Sequence, residues 1–304
     1  MDLNSLLPWN WGKLDPKRTQ AARKHFDVTG KYDHWHAYCR QQFRRKAPSS
    51  SGKLATDGVE VVRLLSNLDA ADAKALLLSN SEQFSAAKKS IDYADVMRFK
   101  GSEFLLPIVD KMLSSSVDEK ITGIFGSEYY VHSVVANRTM PAKASKRSFL
   151  WHCDRGPKNF LKINMFLDAT SDHGGTTEFL DLESSKGFED AGYTFGVNSR
   201  RVSDIAHIAR KFGGSVNVIH PQLDAGEAFI FFPSRSLHRG FLPTRGVRHM
   251  LSVVLLPCPI HWKKAWETTS ATGYHLKTNA TFPDNAEVLF SELGLVRDVI
   301  GKAA

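Results

Sequence analysis

Cysteine is scarce in this chain, with Cys39, Cys153 and Cys258 the only three. An odd, scattered set argues against a disulfide framework, so a reducing cytoplasm is the expected home. The Asn137 and Asn279 N-x-T triplets are then chance matches. Long apolar runs are missing too. Nothing approaches the roughly 20 residues that a membrane span needs. The opening MDLNSLLPWNWGKLDPKR lacks a charged start followed by an apolar core, so no secretory signal is expected. Neither an internal repeat nor a low-complexity tract is present.

What is present is unevenly placed. The net charge is +8, yet residues 1–53 alone hold eleven Lys and Arg against four Asp. The rest of the chain is left with a balance of about +1. The high pI therefore belongs to a basic, aromatic-bearing leader (Trp9, Trp11, Trp35, Phe43), whose simplest reading is a solvated helical surface. A near-neutral body implies no broad surface for tracking phosphates, so nucleic acid is not the expected partner and a small molecule is. The chain divides into a leader at 1–53, separable from the chemistry, and a domain at 54–304.

Residues 16–46 look helical, and 47–52 (APSSSG) reads as a linker. A turn at Asp57–Gly58 leads into a Val-rich strand within 54–65. Helices are expected at 68–78, opened by Asp69, and at 103–114. Beyond Gly126 the texture changes to short apolar or alternating segments at 129–136, 148–151, 161–167, 176–180, 228–232 and 249–256. Strands in series without long helices between them point to an antiparallel sandwich or jelly roll, with its core at about 127–258. Residues 182–221 read as a long irregular insertion of the kind that walls an active site. The tail from 260 returns to helix, notably at 284–300. The fold class is thus mainly β with N- and C-terminal helical additions.

His152-Cys153-Asp154 sets an imidazole and a carboxylate at i and i+2, which share a face on a strand while Cys153 points away. The triplet alone is a weak signal. His238, after the apolar strand that follows Asp224-Ala225-Gly226, supplies a second imidazole. Two imidazoles and one carboxylate on one face of an octahedron leave three positions open, which suits non-haem Fe(II). A structural zinc would want a closed four-ligand site. Ten residues past His238 lies Arg248, on the strand face of Met250 and Ser252. An arginine inside a barrel needs a partner, and a dicarboxylate offers one. Arg245, in the turn before it, is the rival.

Taken in order, WHCD (151–154), HGGTTEFLD (173–181), DAGEAFIFFPSRSLHRG (224–240) and GVR (246–248) resemble the Fe(II)/2-oxoglutarate-dependent dioxygenase superfamily. The likeness spans residues 54–258, with an opening similar to phytanoyl-CoA hydroxylase-like members and a GG-T-x-F phrase similar to prolyl-4-hydroxylase-like ones. It implies a double-stranded β-helix (a cupin-like jelly roll). It also implies Fe(II), 2-oxoglutarate and O2 as the reaction's equipment. His152, Asp154 and His238 become metal ligands, Arg248 the 2-oxoglutarate anchor, and Thr177 (or Thr176) a hydroxyl contact to the same molecule. The expected outcome is oxidation, most simply hydroxylation, of a small, anionic metabolite with release of succinate and CO2. The rivals are a metal-dependent jelly-roll isomerase or hydrolase, a superfamily oxygenase acting on peptide or nucleic acid, and a silent barrel whose leader binds a partner. Tyr130, Phe149, Trp151 and Asn164 are candidate pocket residues. Arg200, Arg201, Arg210 and Lys211 are local cations of the insertion. His34 and His36 are not expected to bind metal, and His173 reads as a turn residue.

Overall fold

The structure, a computed structural model, describes residues 14–26, 31–45, 52–80, 85–86, 94–98, 105–142, 147–195 and 201–270. The expected helix at 284–300, Arg200 and all of the 47–52 linker but Gly52 lie outside the described residues.

The leader forms two helices, α1 (Pro16–Phe26) and α2 (Lys31–Gln42). After α3 (Lys53–Asp57) the chain turns at Gly58 into β1 (Val59–Arg63). Gly58 has φ +75°, and a Cβ there would meet the Ser236 hydroxyl at 2.3 Å, so glycine lets this turn press against the 236 loop. Helix α4 (Asn67–Ser79) starts where Ser66 accepts the Asp69 N–H at 3.1 Å, an N-cap three residues ahead of the acidic residue. Then come β2 (Ser85–Ala86), β3 (Ala94–Arg98), α5 (Leu106–Met112) and α6 (Ser115–Phe125). Helix α6 goes beyond the sequence reading, although Val117, Ile121 and Phe125 recur at helical spacing and are all buried.

The β-rich part holds β4 (Glu128–Thr139), β5 (Leu161–Phe166), α7 (Thr170–His173), β6 (Thr177–Leu180) and α8 (Leu182–Asp190). It continues through α9 (Ile205–Arg210), β7 (Val218–Ile219), β8 (Glu227–Phe231), β9 (His238–Gly240) and β10 (Arg248–Cys258), and α10 (Trp262–Ser270) follows. Two expectations fail. Residues 148–151 are not a strand: Arg147–Phe149 is a 3-10 turn, because a four-residue apolar run fits a buried turn as well as a strand. The 182–221 insertion is not irregular throughout. Asp181 caps α8 through the Ser184 N–H and Asp204 caps α9 through the His207 N–H.

All pairings are antiparallel. One sheet runs β1-β8-β5-β10-β4-β3-β2 and a smaller one β7-β6-β9. Alternation along β10 assigns its faces. Leu251, Val253 and Leu255 join Ile163, Met165, Ile230 and the helices' Leu77, Met112, Phe125 and Trp262 in the main core. Met250, with Phe166, Phe229 and Phe231, meets Phe179 of the small sheet to fill the space between the two layers. This sandwich is a double-stranded β-helix flanked by helices. At its far end Tyr32, Trp35 and Cys39 of the leader bury against Tyr130, Leu256 and Cys258, and Trp35 Nε1 donates to the Pro257 carbonyl at 2.9 Å.

Candidate metal centre and cosubstrate pocket

His238 opens β9, and the chain passing through His152 joins it as an isolated antiparallel bridge. Each residue's N–H donates to the other's carbonyl, at 3.0 and 2.9 Å. The two imidazoles therefore face one another across a backbone pair, with ring centroids 4.5 Å apart. Asp154 is set by its own N–H, which donates to the Pro233 carbonyl at 2.7 Å. Asp154 Oδ1 then lies 3.4 Å from His152 Nε2 and 3.9 Å from His238 Nε2. Among the described residues these three form the one His/Cys/Asp/Glu group able to hold a metal, with ligand atoms all within 4.8 Å.

The chemistry of the donors fits such an ion. His152 Nδ1 meets the Leu150 carbonyl at 2.7 Å and His238 Nδ1 meets the Ser236 carbonyl at 2.9 Å. A carbonyl can only accept, so each Nδ1 carries the proton and each Nε2 offers a lone pair toward Asp154. Burial keeps both rings neutral, lowering the His152 pKa and taking that of His238 down to about 3. Phe231 and Phe179 pack on His238 at 5.1 and 6.2 Å, giving the centre a dry back wall. Burial alone would raise the Asp154 carboxyl, but Lys162 and the two imidazoles hold it well below the usual range. Lys162 Nζ donates to Asp154 Oδ2 at 2.9 Å, which leaves Oδ1 turned to the histidines.

Arg248 stands on the same inner face, four per cent exposed. It donates to the carbonyls of Thr176 (3.1 Å) and Phe241 (3.3 Å) and to Thr139 Oγ1 (3.4 Å), while its Nε has no partner. Among the described residues no carboxylate offsets its burial, which lowers its pKa to about 10. Arg245 is placed otherwise: exposed, it donates to the carbonyls of Asp172 and Ser171 on α7. Thr177 shares a strand face with Phe179 and so points inward, whereas Thr176 Oγ1 donates to the Pro221 carbonyl.

Of the other candidates, Asn164 is inward, accepting from Ser252 Oγ at 2.8 Å. Phe149 lies 5.9 Å from the Arg248 guanidinium and also lines, with Arg239, Phe241 and Thr244, a cavity of about 490 Å³ that contains none of the three ligand residues. Trp151 points away from the centre and packs with Cys153, Phe188 and Tyr193. The alternation that puts His152 inward puts its neighbours outward. Tyr130 is buried under the leader. Arg201 lies close enough for its charge to act on His152 and Asp154, while Arg210 sits 4.0 Å from Asp204. His36 is committed to the Phe125 carbonyl at 2.7 Å. Lys162 escaped the sequence reading, although parity with Asn164 in LKINMF marks it as inward.

The fold and the three-residue centre together define an architecture: a double-stranded β-helix carrying two histidines and one carboxylate close enough to share a metal ion. No protein-family profile and no curated protein matches the chain. Among solved structures it is similar in fold to EctD from S. alaskensis in its apo form, at TM-score 0.50 and 16% identity over 70% of this chain and 80% of that one. The same enzyme with bound Fe gives TM-score 0.50 and 16% identity over 70% and 79%.

Proposed function

We propose that the protein is an Fe(II)- and 2-oxoglutarate-dependent oxygenase that oxidises a small anionic metabolite. The observation that carries this reading is a buried Arg248 with an unpartnered Nε and no carboxylate of its own, on the same inner face as a two-histidine, one-carboxylate centre. An isomerase or hydrolase using the His152–Asp154 pair would give that arginine no task. His152 Nε2, His238 Nε2 and Asp154 Oδ1 would hold the iron, and Arg248 would take the far carboxylate of 2-oxoglutarate with Thr177 beside it. Bound iron would supply the redox chemistry, in which O2, 2-oxoglutarate and substrate R–H become R–OH, succinate and CO2.

The chain's own contribution is positional. Phe179 and Phe231 exclude water behind His238, and the two backbone carbonyls fix both imidazole tautomers. Lys162 holds the outer oxygen of Asp154. Arg201 brings positive charge near His152 and Asp154, which supports an anionic substrate.

Anaerobic addition of 2-oxoglutarate to the Fe(II)-loaded protein is expected to give a weak visible charge-transfer band. Succinate release in air is then expected to rise with one of a panel of carboxylated or phosphorylated metabolites. Absence of the band in folded, iron-loaded protein would overturn the oxygenase reading. Coupling to a peptide or oligonucleotide, and to no metabolite, would overturn the substrate class alone.

A further inference from the structure

Two buried donor atoms without a hydrogen-bond partner belong to side chains that pack on one aromatic ring. His173, one per cent exposed at the end of α7, receives the Gly175 N–H on Nδ1 at 2.9 Å. Nδ1 therefore carries the lone pair, and the neutral ring bears its proton on Nε2. That Nε2 is buried without a hydrogen-bond partner, as is Arg248 Nε. Both groups gather at the inward ring of Phe166. The Arg248 guanidinium lies 5.6 Å from its centre, and the His173 ring stacks on it at 6.4 Å and 25°. Burial first, and then the charge of Arg248, lower the His173 pKa, so the ring enters the physiological range neutral. The Asp168 backbone carbonyl also acts on the ring, yet it does not meet Nε2 in hydrogen-bond geometry.

Buried N–H groups are seldom left unmade, because losing their water is costly without a replacement acceptor. Two such donors around one aromatic ring, one of them cationic, describe a seat for a single carboxylate. We propose that His173 is the second anchor for the far carboxylate of the 2-oxo acid cosubstrate, donating from Nε2 to one oxygen while Arg248 serves the other. The inference rests on the oxygenase reading above. A neutral histidine adds a donor without a second positive charge, so the seat matches one carboxylate in charge as well as in hydrogen bonds. The pair accordingly selects a 2-oxo dicarboxylate over a 2-oxo monocarboxylate of the same length.

The test uses the full chain loaded with Ni(II), so that binding is read by calorimetry without turnover. The titrants are 2-oxoglutarate and 2-oxopentanoate, which lacks the far carboxylate. His173→Phe is expected to weaken 2-oxoglutarate on the order of tenfold and to leave 2-oxopentanoate unchanged. His173→Gln, whose amide can donate from nearly the same position, is expected to recover most of the loss. Arg248→Met reports on the underlying reading and is expected to lose 2-oxoglutarate affinity as well. If Arg248→Met loses affinity while His173→Phe does not, the anchor role of His173 is overturned and the oxygenase reading stands. An equal loss for both titrants in His173→Phe would show distortion of the pocket and also overturns the role. A wild-type protein that binds Ni(II) but not 2-oxoglutarate would overturn both.

Discussion

His152 and His238 each spend Nδ1 on a carbonyl two residues back in the chain, Leu150 and Ser236. This repeated local bond turns two buried imidazoles into neutral donors with one usable nitrogen each. Replacing either by alanine removes one of the three proposed ligands, so His152→Ala and His238→Ala are expected to abolish iron-dependent succinate formation. Near-normal turnover in either folded variant would dismiss the metal assignment. Arg248→Ala is expected to cost about 1.5–3 kcal/mol of 2-oxoglutarate binding, roughly 10- to 150-fold, as for other charge-assisted contacts. Iron affinity should barely change. Arg245→Ala, which disturbs only exposed bonds to α7, is expected to leave both affinities near wild type. Comparing the four titrations identifies the arginine that matters. The grouping of His152, Asp154 and His238 and the buried place of Arg248 were legible in the sequence because their residue types and spacing are chemically restrictive. His173 was not, because a histidine before two glycines looks like any turn until its second nitrogen is seen buried.

Among the elements, the leader was read as a solvated basic surface, and of its described cations Lys17, Arg18, Arg40, Arg44, Arg45 and Lys53 are exposed. Its other face is committed: α2 covers the end of the inner sheet face with Trp35, and Arg23 of α1 donates to Glu189 and to the Ser234 carbonyl at 2.9 Å each. Trp35→Ala is therefore expected to lower unfolding stability by about 3–5 kcal/mol, the usual cost of emptying a buried aromatic site. Denaturant titration of the metal-free protein measures it, and a change under about 1 kcal/mol would mean that α2 does not pack as described. We propose that the boundary near residue 53 marks a change of role more than of stability, since every candidate ligand lies after Trp151. Elements with a clear composition, such as the Ala- and Leu-rich α4 and the apolar β8 and β10, were readable from the chain alone. Helices α8 and α9 were not, because they are short and their polar composition hides the caps at Asp181 and Asp204.

At the scale of the whole molecule, one buried knot ties the back of the large sheet to its helical cover. Asp168 takes the His249 N–H and ring at 2.8 Å each and pairs with Lys74 of α4. Burial works against its charge, but His249 and Lys74 prevail and hold its pKa at about 2. The folded value lies below the unfolded one, so this stabilisation is complete above about pH 4 and is lost as the pH falls toward 2. It is worth roughly 2 kcal/mol. Acid unfolding followed by circular dichroism should show that slope, and Asp168→Asn should flatten it. A variant with the same acid slope as wild type would locate the acid sensitivity elsewhere. Among the described residues no helix is long and apolar enough to cross a membrane.

The sequence by itself determined the alternation of the strands, the ligand types and the order in which they enter the site, since these depend on residue chemistry and a period of two. Parity along β10 alone puts Arg248, Met250 and Ser252 on one face and Leu251 on the other. Only the tertiary structure decided that His152 reaches His238 through a backbone bridge and that Trp151 faces away from the centre. It alone brought Lys162 to Asp154 and seated His173 beside Arg248 around Phe166. Those facts join residues from different strands and turns. Local periodicity carries no information about such neighbours, because they are chosen by how two sheets close on a shared core.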